Sequence, residues 1–149
     1  MKDTNMLRDL IEINNDRIEG YQKASEQVDD MDLKSVFNDM ISQSRLFVSQ
    51  LQPHLLKTDE TPETGTTARG KIYRAWMDVK ATFSRNDRKT TLESCEFGED
   101  AALRAYNSVL NDSDLQPETR HLLLQQEAII KESHDKIKAL RDKERVVAS

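Results

Sequence analysis

Residues 58 to 70, TDETPETGTTARG, are the only loop-like stretch of any length in this chain. The sequence on both sides of it reads as long helix, so where this stretch falls decides how the helices are joined. Shortly before it, Gln52, Pro53, His54 and Leu55 lie near the end of one helical pattern. Beyond it, Ile72, Trp76, Val79 and Phe83 recur at i, i+4, i+7 and i+11, which predicts a short helix anchored by Trp76.

Upstream, residues 4 to 28 carry Leu7, Leu10, Ile11, Ile18, Tyr21 and Val28 in a 3.6-residue period. Thr4 or Asn5 offers a cap at the start. DDMD, residues 29 to 32, predicts a turn, and Asp32 a cap for a second helix over about 33 to 57. The stripe of that helix is Leu33, Phe37, Met40, Phe47, Leu51 and Leu55. So short a turn requires the two helices to lie antiparallel. Pro53 removes a helical hydrogen bond, which predicts a kink or an early stop. Downstream, SRNDRK at 84–89 breaks the short helix. A third long helix is expected from 88 to 111 with Asp87 as its cap, and a fourth from 116 to 143 with Pro117 in its first turn. Leu123, Ile130, Ile137 and Leu140 point its apolar face inward, and ERVVAS, 144–149, is expected to fray. No strand pattern competes.

Two antiparallel pairs, 4–57 and 88–143, are thus joined by a segment, 58–87, that holds a short extra helix. A long connection between two helical hairpins is the ferritin-like arrangement, in which one crossover runs the length of a four-helix bundle. The expected fold is all-α, a ferritin-like four-helix bundle forming a single domain over residues 1–149.

The bulk composition agrees with a folded, soluble bundle. The chain has 149 residues, enough for a sizeable core, with only 4 Gly and 3 Pro to interrupt helices. Its net charge of −5 and the lack of a basic cluster argue against a nucleic-acid partner. One cysteine excludes an intrachain disulfide. No apolar run suits a signal peptide or a membrane span, so the expected location is the cytoplasm with no membrane partner.

Inside this pattern, LESCEFGEDAALRAY, residues 92–106, places a carboxylate on its own apolar face. At 100° per residue with Leu92 at zero, Glu99 falls at about −20°, near the centre of the stripe, and Glu96 at about +40°, on its flank. The other helices each carry an inward polar residue as well. These are Asn14, with Arg17 leaning the same way, then Ser44, then Gln126. Pairing about the turns sets Glu99 level with Gln126, and Asn14 level with Ser44 or Phe47. A single polar layer of Asn14, Arg17, Ser44, Glu99 and Gln126 is therefore expected across the core.

A buried carboxylate costs several kcal/mol unless it is paired or coordinated. Arg17 can pair with Glu99 while Asn14, Ser44 and Gln126 complete the hydrogen bonds. Glu99 can instead stay protonated. Or a divalent ion, iron, manganese or zinc, can sit between Glu99, Glu96 and a ligand on the fourth helix such as His134 or Glu127. A complete di-iron centre is not expected. Such centres take a Glu from each of two helices and Glu-x-x-His from each of the other two. Here Lys131 stands three residues before His134, the second helix has only His54 near its end, and Glu12 and Glu19 face away from the core. The paired network is the preferred reading. The same construction puts His134 level with Leu92 rather than Glu99. Cys95 reads as a small core residue.

The stretches LIEINNDRIEGY, YRAWMDVK, CEFGEDAALRAY and HDKIKAL, in this order and spacing, resemble a bacterial family of uncharacterised ferritin-like four-helix-bundle proteins, distantly similar to rubrerythrins. The resemblance runs from about residue 5 to 141. It implies the ferritin-like fold and a bacterial cytoplasmic protein, and supplies no activity. Asp16, Gly20, Tyr21, Arg74, Trp76, Glu96, Gly98, Glu99, Tyr106 and His134 match its motif positions. The Glu-x-x-His pairs and the rubredoxin-like cysteine module of true rubrerythrins are absent from this sequence.

The functional expectation is a non-enzymatic bundle that acts through its surface or by self-association as a dimer, under stress, with Phe97 and Leu46 as outward apolar residues. The alternative is a metal-binding or oxidoreductase bundle using Glu96, Glu99 and His134.

Overall fold

The computed structural model describes residues 2–56, 88–111 and 115–148. The expected crossover, 58–87, with its short helix around Trp76 and the candidate cap Asp87, lies outside the described residues. Four helices make up the rest: α1 (Lys2–Gln27), α2 (Met31–Leu56), α3 (Arg88–Leu110) and α4 (Pro117–Ala148). There is no strand among the described residues, and no helix there is long and apolar enough to cross a membrane.

The periodic residues form the core. Leu10 and Tyr21 of α1, Leu33, Phe37 and Leu51 of α2, Leu92 and Ala102 of α3, and Leu123, Ile130 and Ile137 of α4 are all fully buried. α1 packs against α2 and α3, and α4 against α3 and α2, which closes a four-cornered bundle. Hydrogen bonds from Arg17 to Glu99 and from Asn14 to Tyr106 run in opposite chain directions, so α1 and α3 are antiparallel. His54 with Thr119, and Gln43 with Ser133, make α2 and α4 antiparallel too. Leu56 therefore ends beside the start of α4, whereas Arg88 begins beside Asp30 and Asp32. The two points that residues 57–87 connect lie at opposite ends of the bundle.

Several boundaries differ from expectation. α2 starts at Met31, with the Asp30 carbonyl taking the first helical bond from the Lys34 amide. Asp32 thus sits within the first turn, where its charge meets the positive end of the helix. Pro53 does not stop α2, which runs on to Leu56. The carbonyl it deprives belongs to Ser49, on an exposed turn where water can satisfy it. α4 continues to Ala148 through the segment expected to fray from 144, and Glu144 is held by Arg88.

Arg88 clasps that end of the bundle. Its Nε donates to Glu144 at 2.6 Å, and its two terminal nitrogens reach Asp30 at 2.9 Å and Asp32 at 3.0 Å. One guanidinium thereby ties the α1–α2 turn, α2 and the end of α4 to α3. The hydrogen bond from Arg88 holds the Asp32 carboxyl below its ordinary value, and the same bond raises Arg88. A depressed folded value means that Asp32 stabilises the fold fully above the ordinary carboxylate value of about 4, and that this contribution is lost as pH falls through the lower folded value. Thermal unfolding followed from pH 7 to pH 2 is expected to lose stability below about pH 4, with a shallower decline in Arg88→Ala. Superimposable acid limbs would show that the clasp contributes nothing.

Candidate functional site

The centre of the bundle is occupied by Arg17, fully buried on α1. Its Nε donates to Glu99 Oε1 at 2.7 Å and its Nη2 to Glu99 Oε2 at 3.0 Å, a two-bond fork. The third nitrogen, Nη1, donates to Ser44 Oγ at 2.8 Å, so α1, α2 and α3 meet on one guanidinium. The Arg17 guanidinium carbon lies 5.7 Å from the centroid of the Tyr21 ring, within cation–π range. Tyr21 in turn packs on Phe37, ring centroids 5.6 Å apart. Burial works against the Arg17 charge, but Glu99 and the neighbouring tyrosines outweigh it, and the pKa of Arg17 ends above its ordinary value. Burial, then the Glu99 charge, pushes the Tyr21 hydroxyl and the Cys95 thiol well up. Cys95 is a free thiol buried in the core, where it packs as a small residue.

A second polar level adjoins the first. Asn14 Nδ2 donates to the Tyr106 hydroxyl at 2.9 Å and to the Leu10 carbonyl at 2.9 Å. The Tyr106 hydroxyl donates to Gln126 Oε1 at 2.7 Å. Gln126 Nε2 then donates to Gln50 Oε1 at 3.1 Å. The chain of bonds crosses all four helices. Burial raises the Tyr106 hydroxyl, which keeps it a neutral donor.

Asn14, Arg17, Ser44, Glu99 and Gln126 are each buried, at relative exposures of 0 to 1%. They do not form one layer, however. Gln126 meets Tyr106 rather than Glu99, because α4 is displaced along α3 by nearly two turns from the expected pairing. Arg120 Nη1 reaches back to the Leu110 carbonyl at 2.6 Å, which places the start of α4 beyond the end of α3. Asn14 turns to Tyr106, and it is Arg17 that meets Ser44.

This donor set does not fit a di-iron centre. Among the described residues the two levels offer one carboxylate, no histidine and a permanent cation. Both Glu99 oxygens already accept from Arg17.

The expected metal set Glu96, Glu99 and His134 is divided by the fold. Glu99 faces Arg17 in the core, while Glu96 and His134 meet on the α3–α4 seam with Asp100 in place of Glu99. His134 Nε2 lies 2.7 Å from Asp100 Oδ1 and 3.7 Å from Glu96 Oε1. One ligand atom from each of the three residues can be chosen so that all lie within 4.8 Å of one another. The displacement of α4 that separates Gln126 from Glu99 also brings His134 level with Glu96 and Asp100 rather than Leu92. Arg141 binds the other Glu96 oxygen, Oε2, and His134 Nδ1 lies 3.1 Å from Asp135 Oδ1. Asp100 was legible in principle: it stands four residues after Glu96, one turn along the same helix face. Glu127, the other proposed fourth-helix ligand, is not part of this cluster.

Residues 2–112 match the model of a family described as a domain of unknown function, DUF2383. No curated protein and no solved structure matches the chain significantly.

Proposed function

The chain belongs to the DUF2383 family, and from that premise we propose that it is a non-enzymatic, ferritin-like bundle whose centre holds a guanidinium where a metalloprotein of that architecture holds metal. The ferritin-like reading is supported by Leu56 and Arg88 lying at opposite ends of the bundle, since a connection between them must cover its length. The observation that carries the functional reading is the fork from Arg17 to Glu99, with Ser44 on the remaining nitrogen. Among the described residues Glu99 is the one carboxylate at these two levels, and both of its oxygens accept from Arg17. The protein then acts through its surface, in the cytoplasm, as a homodimer. Leu46 on α2 and Phe97 on α3, each about half exposed, offer apolar ground for self-association.

The test is ferrous iron oxidation under air, comparing wild type with the doubly substituted Arg17→Met, Glu99→Leu protein, in which the core is apolar but charge-balanced. Both are expected to oxidise Fe²⁺ at the rate of buffer alone, and to sediment at dimer mass. Turnover by wild type that disappears in the double variant would sink the non-enzymatic reading, and a monomer would remove self-association from it.

A further inference from the structure

We propose that Glu96, Asp100 and His134 form a mononuclear divalent-metal site on the α3–α4 seam, with a donor set suited to Zn²⁺. Two carboxylates one turn apart on α3 face an imidazole on α4, so the ligands come from two packed helices rather than one mobile loop. The donors, two carboxylate oxygens and one imidazole nitrogen, are those that bind zinc with a fourth position left to water. Tetrahedral zinc at 2.0 to 2.2 Å from its ligands sets them roughly 3.3 Å apart. The distances from His134 Nε2, 2.7 Å to Asp100 and 3.7 Å to Glu96, lie on either side of that value. Metal binding then requires Asp100 to move away from Nε2 and Glu96 to move toward it.

The ring of His134 is surrounded by carboxylates, a setting that suits a bound cation. Each nitrogen of His134 faces a carboxylate: Nδ1 faces Asp135, and Nε2 faces Asp100 and Glu96. A neutral imidazole carries one ring proton. With Nδ1 the donor toward Asp135, Nε2 is left facing Asp100 and Glu96, the side on which a metal ion would be held. Asp135 then acts as the outer carboxylate that fixes the ring of a metal-bound histidine. Arg141 plays the same part for Glu96, binding Oε2 and leaving Oε1 toward His134. Burial is graded in the way an accessible site requires. The Glu96 and His134 side chains are only 12% and 15% exposed, whereas Asp100 is 43% exposed and opens the site to water. The site shares no residue with the Arg17–Glu99 core.

The experiment is titration of the metal-free full-length protein with Zn²⁺ against a chromogenic chelator, with unfolding temperature recorded at each metal concentration. The chain has 3 histidines, so His121→Ala serves as the control. Wild type, His121→Ala and the Arg17→Met, Glu99→Leu protein are expected to bind one Zn²⁺ per chain and to gain thermal stability with it. His134→Ala is expected to bind about 100-fold more weakly or worse, and Arg141→Gln roughly 10-fold more weakly through loss of the outer contact. Asp100→Asn, at a half-exposed position where folding is not at issue, is expected to lose zinc affinity and the zinc-dependent rise in melting temperature together. Absence of zinc binding in wild type, or equal binding by Asp100→Asn and His134→Ala, would overturn the site. Binding that followed Arg17 and Glu99 instead would overturn this site and the closed-core reading at once.

Discussion

Arg17→Met is expected to lower the folding free energy by about 3–5 kcal/mol, because it leaves Glu99 buried without a partner. Among the described residues the core around Glu99 has no other cation to offer: the carboxylate accepts two bonds from Arg17 and lies at 0% exposure. Total stability for a domain of this kind is about 5–15 kcal/mol, so the loss is a large share of the whole. It corresponds to a fall in melting temperature of about 10 °C. The pair itself is a different matter. Desolvating two charges costs nearly as much as their attraction returns, so replacing both with apolar residues of similar volume is expected to restore stability to about the wild-type level or above it. Urea unfolding of Arg17→Met, Glu99→Leu and the double variant closes the cycle. A fully stable Arg17→Met would show that Glu99 carries no charge in the core.

The second large effect is expected from Phe37→Ala, at about 3–5 kcal/mol. Phe37 is fully buried on α2 and packs against the Tyr21 ring, which in turn lies under the Arg17 guanidinium. Removing the phenyl leaves a cavity and also takes away the wall that positions Tyr21. Phe37→Leu keeps most of the volume and is expected to cost under about 1.5 kcal/mol. Equal midpoints for the two variants in urea would show that Tyr21 needs no support from Phe37.

What the sequence disclosed follows from what periodicity can encode. A 3.6-residue repeat states which face of a helix is buried, and it placed Glu99, Asn14, Ser44 and Gln126 inward by their position among Leu92, Leu10, Phe47 and Ile130. It says little about how far one helix slides along its neighbour. That offset depends on the loop and on contacts such as Arg120 with the Leu110 carbonyl. The pairing of Gln126 with Tyr106, and of His134 with Asp100, therefore emerged only in three dimensions. The same limit hides the true partners of His134. The expected pairing sets His134 level with Leu92, about two turns from Glu99, and Glu99 and Asp100, adjacent in the chain, point about 100° apart on the helix. One enters the core and the other the seam. The end of α4 is hidden from the sequence for a related reason: nothing local in ERVVAS shows that Arg88, far along the chain, holds Glu144.

The Arg17 fork has a consequence for how the two hairpins recognise each other. Layers of Leu, Ile and Ala are nearly interchangeable, so apolar faces alone allow α3 to slip along α1 by one turn, about 5.4 Å, and still bury much of their surface. A slip of that size pulls Glu99 out of reach of Arg17 and strands two charges in hydrocarbon. Misdocked states are thus raised by several kcal/mol while the matched state is left nearly untouched. A pair that adds little to the depth of the native well instead widens the gap above it, and the bundle acquires a single alignment that its oily layers could not specify by themselves.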